Sequence, residues 1–341
     1  MSDDGNSNAV TRTALPVAAT GVGSMPGTDP AEASAVIAGE LVDLPHLPEL
    51  PGRGPGAGMI GRTGALLADL SSDLSLETSA SGWRLSGGPS SIMRQASAWL
   101  AEDIDRGAEI LSGSSGWYKV QLAGPWSFAA GVETRRGNLL LSDAGLVDEL
   151  ACGLAEAASG HVDRIRDRMP GRQIVLQIDE PTLPFALEGS LPTASGFGRY
   201  PSVDESCAVA ALRRITALDV PVIVHCCGRF PFQLARDAGF AGVSFDMAME
   251  SERADGIAET FESGQVVMLG AVPVLGSQEV SVDRAWEGVS EVWRRTGLSS
   301  ADLARVSFSP SCGLASLSMP AARHALGVCG QLRQRAADIG S

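Results

Sequence analysis

No run of roughly 18 consecutive apolar residues occurs in the sequence, so no transmembrane helix is expected. Basic charge is scarce. The 26 lysines and arginines stand against 40 aspartates and glutamates, for a net charge of -14. That balance argues against nucleic acid or an anionic membrane surface as a partner. Lysine is almost missing: Lys119 is the only one, and arginine supplies the remaining basic charge, which we read as composition and not as function. The opening "MSDDGNSNAVTR" has neither a basic n-region nor an apolar h-region. Residues 1–13 are therefore expected to form a disordered tail, and the protein to be cytoplasmic. The six cysteines (152, 207, 226, 227, 312 and 329) show no regular framework, and without a signal peptide they read as reduced thiols or metal ligands. No solenoid or propeller period is present either.

What the chain does have is enough apolar material for a large core: 44% of its 341 residues are hydrophobic and 19% charged. Short apolar runs recur at 14–24, inside 41–58, and at 117–125, 173–181, 220–228, 241–246, 264–272 and 304–313. Helical periodicity fills 88–112, 143–169, 203–218, 249–263 and 280–298. Strands alternating with helices predict βαβ units and a parallel sheet. Eight such units predict an α/β fold, a single (β/α)8 TIM-type barrel over residues 14–341. A doubly wound sheet is the competitor. It lacks its phosphate turn, because Gly21, Gly23 and Gly27 miss the G-x-G-x-x-G spacing by one and Pro26 interrupts it.

In a barrel the chemistry sits at the C-terminal strand ends. Polar residues fall there repeatedly: Ser24, Glu49, Asp179, Glu180, His225, Cys227, Asp246 and Cys312. In "VIVHCCG", His225 and Cys227 are two apart, so imidazole and thiolate share one side of an extended strand while Cys226 faces the other way and packs. Cys312 in "SPSCGL" and Asp246 in "GVSFD" end two further runs. One imidazole, two thiolates and a carboxylate suit tetrahedral zinc. The H-x-C spacing alone is a weak signal and reads better as a core histidine bonded to a backbone carbonyl with buried free thiols.

For an amino-acid substrate, Asp179 and then Glu49 are the candidate carboxylates for an ammonium. The Val22-Gly23-Ser24 turn offers N–H groups and a hydroxyl for a carboxylate. The blander alternatives are that Asp179 or Glu180 caps the turn at Pro181, and that Ser24 caps a helix starting near residue 28. His46, His161 and His324 lack partners at metal spacing and read as structural. Trp126 reads equally as packing or as a substrate flank, and "GFGRYPS" (196–202) as a loop at the mouth, with a lid as one role for it.

With "GVGSMPGT", "QIDEPTLP", "VHCCG" and "SPSCGL" in that order, the chain resembles the catalytic barrel of cobalamin-independent methionine synthase, of the uroporphyrinogen decarboxylase/methionine synthase-like superfamily. The resemblance implies one zinc ion held by His225, Cys227 and Cys312. The fourth ligand, normally glutamate, falls on Asp246, one methylene shorter, with Glu250 or water as alternatives. It also implies homocysteine as methyl acceptor, with Ser24 and Asp179 as its anchors. Full-length members carry an N-terminal barrel that helps hold a folate donor. A single-barrel form without that half is expected here, taking its methyl group from a methylfolate or a methylcorrinoid, free or protein-bound. Alkyl transfer to another small thiol and a non-catalytic binding barrel are the alternatives.

Overall fold

The computed structural model describes residues 15–193, 196–274 and 280–340; the tail expected at 1–13 lies outside them. Strands among the described residues are β1 (Leu76–Ser79), β2 (Gly82–Leu85), β3 (Gly116–Ala123), β4 (Val132–Glu133), β5 (Arg172–Asp179), β6 (Val222–Cys226), β7 (Gly242–Asp246), β8 (Val266–Val272) and β9 (Ser307–Pro310). Six of them form one curled sheet in the order β3-β5-β6-β7-β8-β9, parallel throughout. The intervening helices lie where the apolar period placed them, at Ser91–Ile110, Ala144–Arg168, Glu205–Thr216, Ala254–Glu262 and Val282–Thr296. Asp143 and Asp204 cap two of these helices by accepting hydrogen bonds from first-turn N–H groups. No helix among the described residues is long and apolar enough to cross a membrane.

Of the eight runs expected as strands, six are regular. The other two, near 18–24 and 45–49, pair only through isolated parallel bridges: Ala19 with Phe308, Ser24 with Glu49, and His46 with Lys119. Each bridge carries two backbone hydrogen bonds. Thr20 and Phe308 donate to Phe308 and Ala18 carbonyls at 3.0 Å each, and Leu47 and Lys119 donate to Lys119 and Pro45 carbonyls at 2.9 Å each. Proline explains the irregularity, since Pro45 and Pro48 bring no N–H to a ladder. Gly21 reflects close approach rather than phosphate binding: a Cβ there would lie 2.2 Å from His46 Nε2. The antiparallel pair β1–β2, with β4 parallel beside β2, was not foreseen. Its strands are short and mostly half-exposed, so they leave little apolar signal.

Alternation along each strand separates two cores. Val224, Cys226, Val243, Phe245, Val267, Leu269 and Phe308 face the helices in the main core. The inner face is closed at its N-terminal end by a small apolar plug of Ala18, Leu44, Val175, Ile223 and Met268. Two residues further along the same strands come Gln177 and His225, then Asp179 at the tip of β5, so polarity on the inner face rises toward the C-terminal strand ends. Phe308 is fully buried and its backbone carries the bridge to the first segment. Phe308→Ala should cost about 3–5 kcal/mol of stability, read from the urea unfolding midpoint and slope. A loss below about 1 kcal/mol would show that this position is not packed as described.

Candidate functional site

Strand β6 delivers His225 to the inner face, almost wholly buried and in register with Asp179 of β5 on one side and Ser244 of β7 on the other. Nδ1 and the Ser244 hydroxyl lie 3.0 Å apart, which fixes the plane of the ring. Nε2 is buried without a hydrogen-bond partner. Cys226 faces the helix-side core, fully buried, and burial pushes its thiol up to about 12. It packs, as expected from the alternation.

Cys227 leaves the strand half-buried and meets Cys312, which follows β9. Cys312 is pushed down to about 4, first by the Cys227 thiol donating to it and then by the imidazole of His225 beside it. The same contact pushes Cys227 up. Asp246 stands at the tip of β7, where one carboxylate oxygen accepts from Ala248 N–H at 2.9 Å. Burial raises its carboxyl, as does the Cys312 charge, while His225 lowers it. Glu250, the alternative ligand, is engaged elsewhere. Its carboxylate accepts from Phe230 N–H at 2.6 Å and pairs with Arg253 at 2.9 Å, which makes it a structural anchor.

Among the described residues, no group of three or more His, Cys, Asp or Glu side chains already has the arrangement of a metal cage. The donor types nevertheless fit one. A buried imidazole nitrogen lacks a partner, two cysteine sulfurs in mutual contact lie beside that ring, and a carboxylate senses both. Ser244 supplies the outer contact that orients a ligating histidine.

The expected substrate anchors lie at the same strand ends. The carbonyls of Gly23 and Ser24 accept from Glu49 N–H at 3.1 Å and Leu314 N–H at 2.8 Å. The Ser24 hydroxyl lies against Gly313, next to Cys312, where a Cβ would come within 2.1 Å of Oγ. Asp29, not Ser24, caps the helix Pro30–Glu40. Glu49 is buried with Arg62 Nε at 3.8 Å. Burial raises the Glu49 carboxyl, and Arg62 opposes that shift. Asp179 is raised above its ordinary value by burial and then by the Glu49 charge, with Lys119 and Gln177 opposing. Glu180 does cap a helix, that of Pro125–Gly131: it accepts from Trp126 N–H at 3.0 Å, Ser127 N–H at 2.8 Å and the Ser127 hydroxyl at 2.8 Å.

Trp126 packs, buried, with its indole N–H donating to the Ala208 carbonyl at 3.4 Å. His46 and His161 are buried, and His324 lies on the surface near the Val280 carbonyl. The loop 196–202 is tied down where the Tyr200 hydroxyl accepts from Leu139 N–H at 3.2 Å. Sequence reasoning passed over Ser244, Gln177, Gln121 and Lys119. Each is a polar residue two positions from another polar residue in an otherwise apolar strand, and that spacing was the available signal.

A curled parallel sheet with nucleophilic and acidic residues gathered at its C-terminal ends defines the class, an α/β fold with a curled half-barrel of parallel strands. The family described as "Cobalamin-independent synthase, Catalytic domain" matches residues 148–334. The chain belongs to this family, which makes it methionine-synthase-like. No curated protein sequence matches the chain. Among solved structures, a B12-independent methionine synthase from Shewanella sp. W3-18-1 in complex with selenomethionine is 16% identical, over 76% of this chain and 69% of that one, with a TM-score of 0.47. A GH5_18 from Bifidobacterium longum subsp. infantis is 12% identical, over 95% and 79%, with a TM-score of 0.46.

The contact between the Ser24 and Cys312 segments can be tested by stability alone. Gly313→Ala should cost about 1–3 kcal/mol through overpacking. Ser24→Ala in the same chain should recover most of it, as a double-mutant cycle of urea midpoints would report.

Proposed function

We propose that the chain is a cytoplasmic zinc-dependent methyltransferase that methylates the thiol of homocysteine to give methionine. In this reading residues 14–341 form one (β/α)8 barrel, its first two strands being the bridged segments between β9 and β3. The observation that carries the reading is the meeting of His225 and Cys227 at the end of β6 with Cys312 after β9, with Asp246 at the tip of β7 beside them. Without a metal these residues have no shared purpose.

His225, Cys227 and Cys312 would hold the zinc, with Asp246 as the oxygen donor. When bound, the metal supplies a Lewis acid that keeps a substrate thiol as a thiolate at neutral pH. The rest falls to the chain's own groups. Ser244 holds the His225 ring with Nε2 free. Asp179 and Glu49 take the substrate ammonium, and their burial in a site of low dielectric strengthens that contact. The N–H groups of Val22, Gly23 and Ser24, with the Ser24 hydroxyl, take the α-carboxylate. Those three N–H groups make no hydrogen bond among the described residues, which suits that role. The methyl donor is a methylfolate or a methylcorrinoid, free or carried by a protein.

The test is the zinc content of metal-replete protein beside Cys312→Ala, followed by homocysteine methylation assays with each donor. About one zinc per chain, largely lost in the variant, is expected for a site of this donor set. Zinc absent from the wild type, or indifferent to Cys312, would overturn the metal assignment. Zinc present with no methylation of homocysteine by either donor would turn the reading to another small thiol.

A further inference from the structure

We infer that Lys119, the chain's only lysine, is a positioning residue that sets both amino-acid anchors of the site: the Asp179 carboxylate through Gln177, and the Val22-Gly23-Ser24 turn through the Val22 carbonyl. The inference rests on the proposed roles of those anchors and adds the group that organises them.

Lys119 lies on the inner face of β3, fully buried. Its Nζ donates to the Val22 carbonyl at 2.9 Å and to Gln177 Oε1 at 2.8 Å. An ammonium has donors only, so it accepts nothing and forces the oxygen of the Gln177 amide toward itself. The amide nitrogen is thereby turned the other way. It donates to Asp179 Oδ1 at 2.7 Å and to the Val22 carbonyl at 2.8 Å. One cation thus decides which end of an amide faces Asp179. Asp179 receives a fixed donor on Oδ1, and Oδ2 is left without a donor among the described residues. Val22, carrying two donors on its carbonyl, cannot rotate its peptide without breaking both.

Charge supports the same arrangement. Asp179 and Glu49 are buried acids that repel each other, and Lys119 is the ammonium that opposes the repulsion. Burial draws Lys119 down to about 8 while the two acids hold it up. A neutral side chain at 119 would free the Gln177 amide to turn, place an oxygen against Asp179, and release the Val22 peptide.

Zinc-loaded protein is titrated calorimetrically with homocysteine, with 4-sulfanylbutanoate, which lacks the ammonium, and with 1-propanethiol, which lacks both groups. Wild type prefers homocysteine. A wild type without that preference overturns the reading of the anchors and this proposal with it. Lys119→Met is expected to weaken homocysteine about tenfold or more while leaving 1-propanethiol and zinc content unchanged. Gln177→Glu keeps an acceptor for Lys119 but offers Asp179 no donor. Because it also removes one of the two donors to the Val22 carbonyl, it should weaken homocysteine most, 4-sulfanylbutanoate less and 1-propanethiol not at all, and it decides the matter if Lys119→Met does not fold. Variants that keep the wild-type preference, or that weaken all three thiols alike, overturn the positioning role and leave the anchors standing.

Discussion

A parallel sheet buried on both faces has two interiors to fill, and the period-two alternation of its strands assigns every residue to one or the other. Here the outward residues make the large core against the helices, while the inward ones meet at the centre of the curl. The inward positions are graded. Val175, Ile223 and Met268 plug one end, Gln177 and Ser244 follow, and His225 and Asp179 stand near the other. The plug removes water from beneath the polar layer, so charges above it interact more strongly than they would in solution. Cys226 and His225 make the rule plain, since adjacent residues of one strand go to a dry core and to a site.

Burying so many ionisable groups demands that they be matched. Lys119 faces Asp179 and Glu49. Arg62 and Arg53 both pair with Asp103, at 2.6 and 2.9 Å, and Arg62 also reaches Glu49. Through Arg62, Glu49 is linked to Asp103 on the helix Ser91–Ile110. Such a network holds Glu49 and Asp179 as buried acids without collapsing the site around them.

Much of the fold was legible because the pattern is local. The helix Ala144–Arg168 and strand β5 lie within a residue or two of where their periods put them. The first two expected strands came out as single bridges because Pro45 and Pro48 lack the N–H a ladder needs, a constraint written in the sequence but outweighed there by the apolar pattern. The β1–β2 pair escaped notice because a half-exposed ribbon carries no strong hydrophobic period. In the site, the H-x-C pair was readable from alternation within one strand. Glu180 as the cap of a helix 53 residues earlier was not, because nothing near it in sequence names its partner.

By itself, then, the sequence determined which residues share a face. Alternation put His225 with Cys227, Gln177 with Asp179, and Cys226 opposite, since side-chain direction in a strand depends on nothing beyond the strand. Only the tertiary structure decided which faces meet. Cys227 finds Cys312 across 85 positions, Ser24 finds Gly313, and a lone lysine that composition made look incidental becomes the cation between two buried acids. Those pairings come from strand order and register, which are long-range backbone contacts that no local spacing encodes.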